Sequence, residues 1–211
     1  MSRPKIVWIA LLALALATAA GAQQHRPLSP RGKASTQVGG QWVKMKNGEK
    51  TYKNGKWIDI DYGRPIRRGR TDLWGEGANY GKGVYAGASI WRAGANQTTR
   101  IKTEVPLEIN GKRIAPGEYS LFIDLKPGHW TLVVSTQPYQ EKFNPKNKGA
   151  TWGAYGYNAK DDVVRAPMTL ATSPYSIDEL TIGFLDMSNA GGKLAIGWDK
   201  QVAMVDFKVV K

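Results

Sequence analysis

Residue types that bind planar anions gather in one short segment, Trp91-Arg92-Ala93-Gly94-Ala95-Asn96. An arginine reads a carboxylate or phosphate through its guanidinium fork, and an indole beside it offers a stacking face. Asn96 adds a carboxamide. A structural account of the same residues stands beside this one. Trp91 would fill core, Gly94 supply a tight turn, and Asn96 bond backbone through an Asx turn. Two further groups would border such a site. Arg64, Arg67, Arg68 and Arg70 concentrate positive charge in one loop, which either steers an acidic polymer or faces water. Trp152, Tyr155 and Tyr157 lie in a Gly-rich stretch. Exposed, they would stack on a sugar; turned inward, they would line a strand edge. The expected site has Trp91, Arg92 and Asn96 at its centre, with Arg64, Arg70 and Trp152 at its edge.

Other chemistries find little support. Asp59 and Asp61 share one face of one strand, whereas a glycosidase holds its carboxylates on opposite sides of the scissile bond. The histidines are His25 and His129, and cysteine is absent from the sequence. Zinc and most transition metals therefore lack a ligand set, and no disulfide framework forms. There is no Asp-x-Asp-x-Asp-Gly calcium loop, and no Gly-x-Ser-x-Gly elbow to pair a serine with His129. No cofactor is expected. An enzyme would have to use the same pocket, with Arg92 as an oxyanion clamp and a carboxylate such as Asp161 as base. A purely structural or protein-binding role is the third reading.

The start of the chain bears on where such a protein works. Arg3 and Lys5 precede an uncharged apolar run over 6–20, and Ala20-Gly21-Ala22 stands before polar Gln23. That is the anatomy of a secretory signal peptide. The run is shorter than the about 20 apolar residues of a spanning helix. Cleavage after Ala22 is expected, leaving a periplasmic or secreted protein with no stable membrane anchor. Arg3 and Lys5 contribute two of the formal charge of +13, so +11 remains on the rest. Such an excess favours anionic partners. Export makes nucleic acid the poorest fit, and a cell-envelope glycan or anionic small molecule the best.

The elements that must hold these residues are strands. Asn47-Gly48, Asn54-Gly55 and Asn110-Gly111 fall between short apolar runs, and Asn-Gly is a strong hairpin signal. Over 99–105, Ile101, Thr103 and Val105 alternate with Arg100, Lys102 and Glu104, one face inward and one wet. Similar alternation recurs over 119–123, 130–134, 180–184 and 194–198, and a last strand is expected over 202–210. Ser176 to Glu179 would open a single helical turn. Two long loops, 64–89 and 137–162, are left to carry function. The expected organisation is a signal peptide over 1–22, a polar tail over 23–37 and one all-β domain over 38–211, an antiparallel sandwich or open barrel.

The order of uncommon residues adds a resemblance. Ser29-Pro30-Arg31 is followed by Tyr62-Gly63-Arg64-Pro65, Arg68-Gly69-Arg70, Tyr80-Gly81-Lys82 and Trp91-Arg92-Ala93-Gly94-Ala95-Asn96. Pro116-Gly117-Glu118-Tyr119-Ser120-Leu121-Phe122 and Trp152-Gly153-Ala154-Tyr155-Gly156-Tyr157 come next. This series resembles the DUF2911 family of bacterial exported proteins, over about 29–211. The resemblance implies a fold and no reaction or catalytic residue. Residues 43–56 look inserted relative to the family, and the segment 75–91 is longer and richer in glycine. The function expected is that of an exported all-β domain binding an anionic or glycan ligand.

Overall fold

Short alternating runs cut by glycine-containing turns become twelve strands in the computed structural model, which describes residues 27–211. The expected leader over 1–22 and the start of the tail lie outside the described residues. In chain order the strands are β1 (Arg31–Val38), β2 (Gln41–Lys44), β3 (Lys50–Lys53), β4 (Lys56–Gly63), β5 (Thr99–Thr103) and β6 (Leu107–Ile109). They continue with β7 (Lys112–Ile114), β8 (Gly117–Lys126), β9 (His129–Ser135), β10 (Asp162–Pro167), β11 (Thr169–Ser188) and β12 (Gly191–Val209). One sheet has the order β1-β4-β5-β8-β9-β10, a second β11-β12-β6-β7, and β2-β3 form a separate hairpin. The pairings are antiparallel. The result is an open sandwich, all-β as expected. No described helix is long and apolar enough to cross a membrane.

Alternation sets the core. Ile58 and Ile60 of β4, Ile101 of β5 and Leu121 of β8 meet Leu180 of β11 and Ile196 of β12 between the sheets. Asn110 and Gly111 both take positive φ, at 50° and 70°, and join β6 to β7, and Asn47-Gly48 joins β2 to β3; Asn54-Gly55, by contrast, links β3 to β4, which pair with other strands. The loop 64–98 does more than connect. It folds over one end of the sandwich and inserts Leu73 and Trp74 among the core residues. Trp74 packs against Trp91, Trp130 and Trp198 at centroid distances of 5.5, 4.7 and 5.9 Å. Trp130 Nε1 donates to the Tyr80 hydroxyl at 2.8 Å, which ties this loop to β9.

Four expectations need correction. From Arg31 onward the polar tail is β1, paired with β4 from Arg31 opposite Gly63 to Val38 opposite Lys56. Its inward residues include Gly32 and Ala34, too small to register as an apolar period. Tyr62 fills the space above Gly32, where a Cβ would come within 2.7 Å of the ring. Ser176 to Glu179 is not a helical turn but part of β11, because β12 supplies a pairing partner there: Ile177 lies opposite Asp199. The strands expected over 194–198 and 202–210 are one continuous strand, β12. Finally, Arg100 does not face water; it is 7% exposed under the 136–161 loop.

Candidate functional site

The segment 91–96 is held between two strands. Trp91 exchanges backbone hydrogen bonds with Ile123 of β8, at 3.0 and 2.8 Å. Ala95 N–H donates to the Gly63 carbonyl at 3.1 Å. A side chain at Gly63 would collide with the Ala95 carbonyl, so glycine is what lets the two backbones cross. Ala93 and Asn96 take positive φ, 49° and 63°, and turn the chain into β5. This geometry splits the expected centre. Trp91 is 1% exposed and lies in the tryptophan cluster, so it presents no face to a ligand. Asn96 is exposed and donates its amide to the Ser29 carbonyl at 3.2 Å. Arg92 alone points toward the second long loop.

That loop, 136–161, is built on buried polar anchors. Gln137 and Gln140 are both buried. Gln137 donates to Gly156 O at 2.6 Å and accepts from Asn158 N–H at 2.8 Å. Gln140 donates to Asn147 O and Ala150 O, at 3.0 and 2.8 Å, and accepts from Asn144 N–H at 2.7 Å. Thr98 reaches across from the start of β5 to Gly153 O at 2.8 Å. A buried amide costs free energy unless its donors and acceptors are matched, and these are matched. The loop is therefore fixed without strands or disulfides.

The outer surface of this fixed loop carries aromatic side chains. Phe143 and Tyr155 are exposed, at 61% and 44%, and Trp152 is half-buried. Phe143 and Trp152 lie 6.1 Å apart between centroids. With Tyr155, Asn144, Asn147 and Lys148 they line a shallow cavity of about 180 Å³. Over 137–158 the charged residues are Lys142, Lys146 and Lys148 against Glu141. Arg92 lies directly behind this strip. A methyl group at position 153 would strike its Nη1, and Gly153 has φ of 63°. Burial pushes the Arg92 pKa down from the usual guanidinium range, and the Tyr155 phenol opposes the shift. Tyr155 also donates its hydroxyl to Ala86 O, joining the two long loops.

The remaining candidates point elsewhere. Arg64 pairs with Glu179 of β11 at 3.2 Å, and Arg67 pairs with Asp199 of β12 at 3.2 Å. Arg70 donates to the carbonyls of Arg67 and Ile66 and lies 5.3 Å from the Trp198 ring centroid. Arg68 donates to Leu28 O at 2.9 Å. Arg64, Arg67 and Arg70 thus fasten the loop to the second sheet, and the Arg68 side chain ties it to the segment before β1. Tyr157 turns inward, packs on Phe122 at 5.1 Å and donates to Asp162 at 2.6 Å. Burial, followed by Asp162, pushes its phenol pKa up. Arg165 completes that cluster, bonding Asp162 and Asp124 at 2.9 and 2.6 Å.

Arg92 forms no ion pair among the described residues, so the clamp-and-base arrangement with Asp161 is not assembled around it. Phe143, Gln137 and Gln140 were missed in the sequence. A Gln-Pro-Tyr-Gln run inside a long loop was the available signal, since two glutamines among turn residues can bridge several backbone groups. Comparison with known families finds that the one described as "Protein of unknown function (DUF2911)" matches residues 44–207. No curated protein and no solved structure matches the chain.

Proposed function

The chain belongs to the DUF2911 family, whose description leaves function open, and from that premise we propose that it binds an anionic glycan of the cell envelope on its 136–161 loop. One observation carries the reading: Phe143, Trp152 and Tyr155 form an accessible aromatic strip, bordered by lysines, on a loop fixed by buried amides. Sugar rings stack on such faces, and lysines attract the carboxylate or phosphate groups of the polymer. A loop already held in place loses little conformational entropy on binding. The enzyme reading needs a carboxylate beside Arg92, whereas Gly153 and Tyr155 border that side chain.

Export is part of the proposal. It rests on the n-region Arg3 and Lys5, the apolar run and Ala20-Gly21-Ala22. Intact protein purified from its native host is expected to begin at Gln23, and a mass that retains Met1 would refute cleavage.

Salt dependence tests the binding itself. Raising ionic strength from 0.1 to 1 M shortens the screening length from about 10 to about 3 Å. Co-sedimentation with purified cell wall is expected to fall several-fold over that range. A Lys142/Lys146/Lys148-to-Gln variant should pellet weakly even at low salt. Retention unmoved by salt and by the lysine changes would replace the anionic polymer with a neutral glycan. No sedimentation at any salt would overturn the proposal.

A further inference from the structure

A second cavity, of about 380 Å³, lies on the outer face of the six-stranded sheet, between β1, β4, β5 and β8 and the near end of the 136–161 loop. Its floor is Arg100. This side chain is 9% exposed and bonds Glu118 through Nη2 at 2.5 Å. Its Nε and Nη1 are buried with no hydrogen-bond partner. The Tyr139 ring covers the guanidinium, 3.1 Å from Cζ to centroid. The Tyr139 hydroxyl donates to Glu141 at the rim, at 3.3 Å.

A buried cation that keeps unpartnered N–H groups is a receptor short of an acceptor. The rest of the lining says what kind of ligand supplies it. Arg31 and Lys142 bring positive charge, and Asp61 and Glu141 bring negative charge; none of these four forms an ion pair among the described residues. A polyanion is opposed by Asp61, Glu118 and Glu141. A simple cation is opposed by Arg100. A ligand carrying both charges is opposed by neither.

We propose that this cavity binds a small zwitterion, an amino acid or the termini of a short peptide. A carboxylate oxygen accepts from a free N–H of Arg100, at Nε or Nη1, and the ammonium faces Asp61 and Glu141. The carboxylate enters in the plane of the guanidinium fork, because Tyr139 occupies a face. The site is separate from the aromatic strip, which lies on the 143–156 part of the same loop.

Calorimetric titration tests the proposal with alanine, lysine, glutamate and alanyl-alanine, and with alanyl-alanine blocked by N-acetylation or C-terminal amidation. At least one free zwitterion is expected to bind. Each blocked peptide should bind at least about tenfold more weakly than the free dipeptide, because amidation leaves the buried Arg100 without an anionic acceptor and acetylation removes the charge that faces Asp61 and Glu141. Glu141→Gln, at an exposed rim position, should weaken binding while the fold is kept. Arg100→Gln should abolish binding, with circular dichroism confirming the sheet. Trp152→Ala should leave it unchanged, so this result stands or falls apart from glycan binding. No binding of any free zwitterion, equal binding of the blocked forms, or full binding by a folded Arg100→Gln protein would overturn the assignment.

Discussion

Trp91→Ala is expected to destabilise the domain by about 3–5 kcal/mol, the usual range for emptying a large buried aromatic position. Trp91 is 1% exposed and shares the tryptophan cluster with Trp74, Trp130 and Trp198. Those neighbours sit on a loop, a strand of one sheet and a strand of the other, so no single element can collapse into the space. For a domain of this size the loss corresponds to a fall in melting temperature of about 6–20 °C. Arg92→Ala is the matched control. Arg92 points away from the tryptophan cluster, forms no ion pair among the described residues and has one buried nitrogen without a partner. Its cost should stay within about 1 kcal/mol. Thermal and denaturant unfolding of the two variants checks the split. Large, equal losses would mean that Arg92 is scaffold, and the surface in front of it would lose its support.

The all-β architecture was legible because it is written in period-two alternation and Asn-Gly turns. Ile101 and Thr103 of β5 do face the core, and Asn110-Gly111 does turn β6 into β7. What escaped has specific causes. β1 turns Gly32 and Ala34 inward, and residues that small leave no hydropathy signal; their partner is the Tyr62 ring, which only the fold supplies. Ser176 to Glu179 has local helical features, overridden by β12 alongside it. Arg100 stands on the face that alternation assigns to water. The polar loop that later covers that face lies some forty residues along the chain, beyond the reach of any local pattern.

The candidate site was legible in residue types more than in grouping. Trp91 and Arg92 are adjacent in sequence, yet where the chain bridges to Ile123 their side chains leave on opposite sides, so one is core and the other flanks the loop. Arg64 and Arg70 look like a patch because they are close in sequence. In the fold Arg64 meets a carboxylate, whereas Arg70 is held by carbonyls and an indole, so the run is divided among separate anchors and does not form one patch. Trp152 was named, but its companion Phe143 sits nine residues earlier, across a turn closed by Gln140. Only the closed loop brings the pair together.

If the aromatic strip is the binding surface, Trp152→Ala should reduce affinity for purified cell wall by about thirtyfold, equivalent to about 2 kcal/mol lost at a well-placed aromatic contact. Stability should change little by comparison, because Trp152 is half-buried at the loop surface and outside the tryptophan cluster. Phe143→Ala should act in the same direction, since the two rings face one groove. Tyr157→Phe separates this from a general loosening of the loop. It removes the bond to Asp162 on the inner side while leaving the strip untouched, so its binding should match that of the unaltered protein. Sedimentation curves for the three variants at low salt make the comparison. A Trp152→Ala protein that binds as tightly as its parent, with Tyr157→Phe the weaker of the two, would move the ligand to the inner cluster of Tyr157, Asp162 and Arg165.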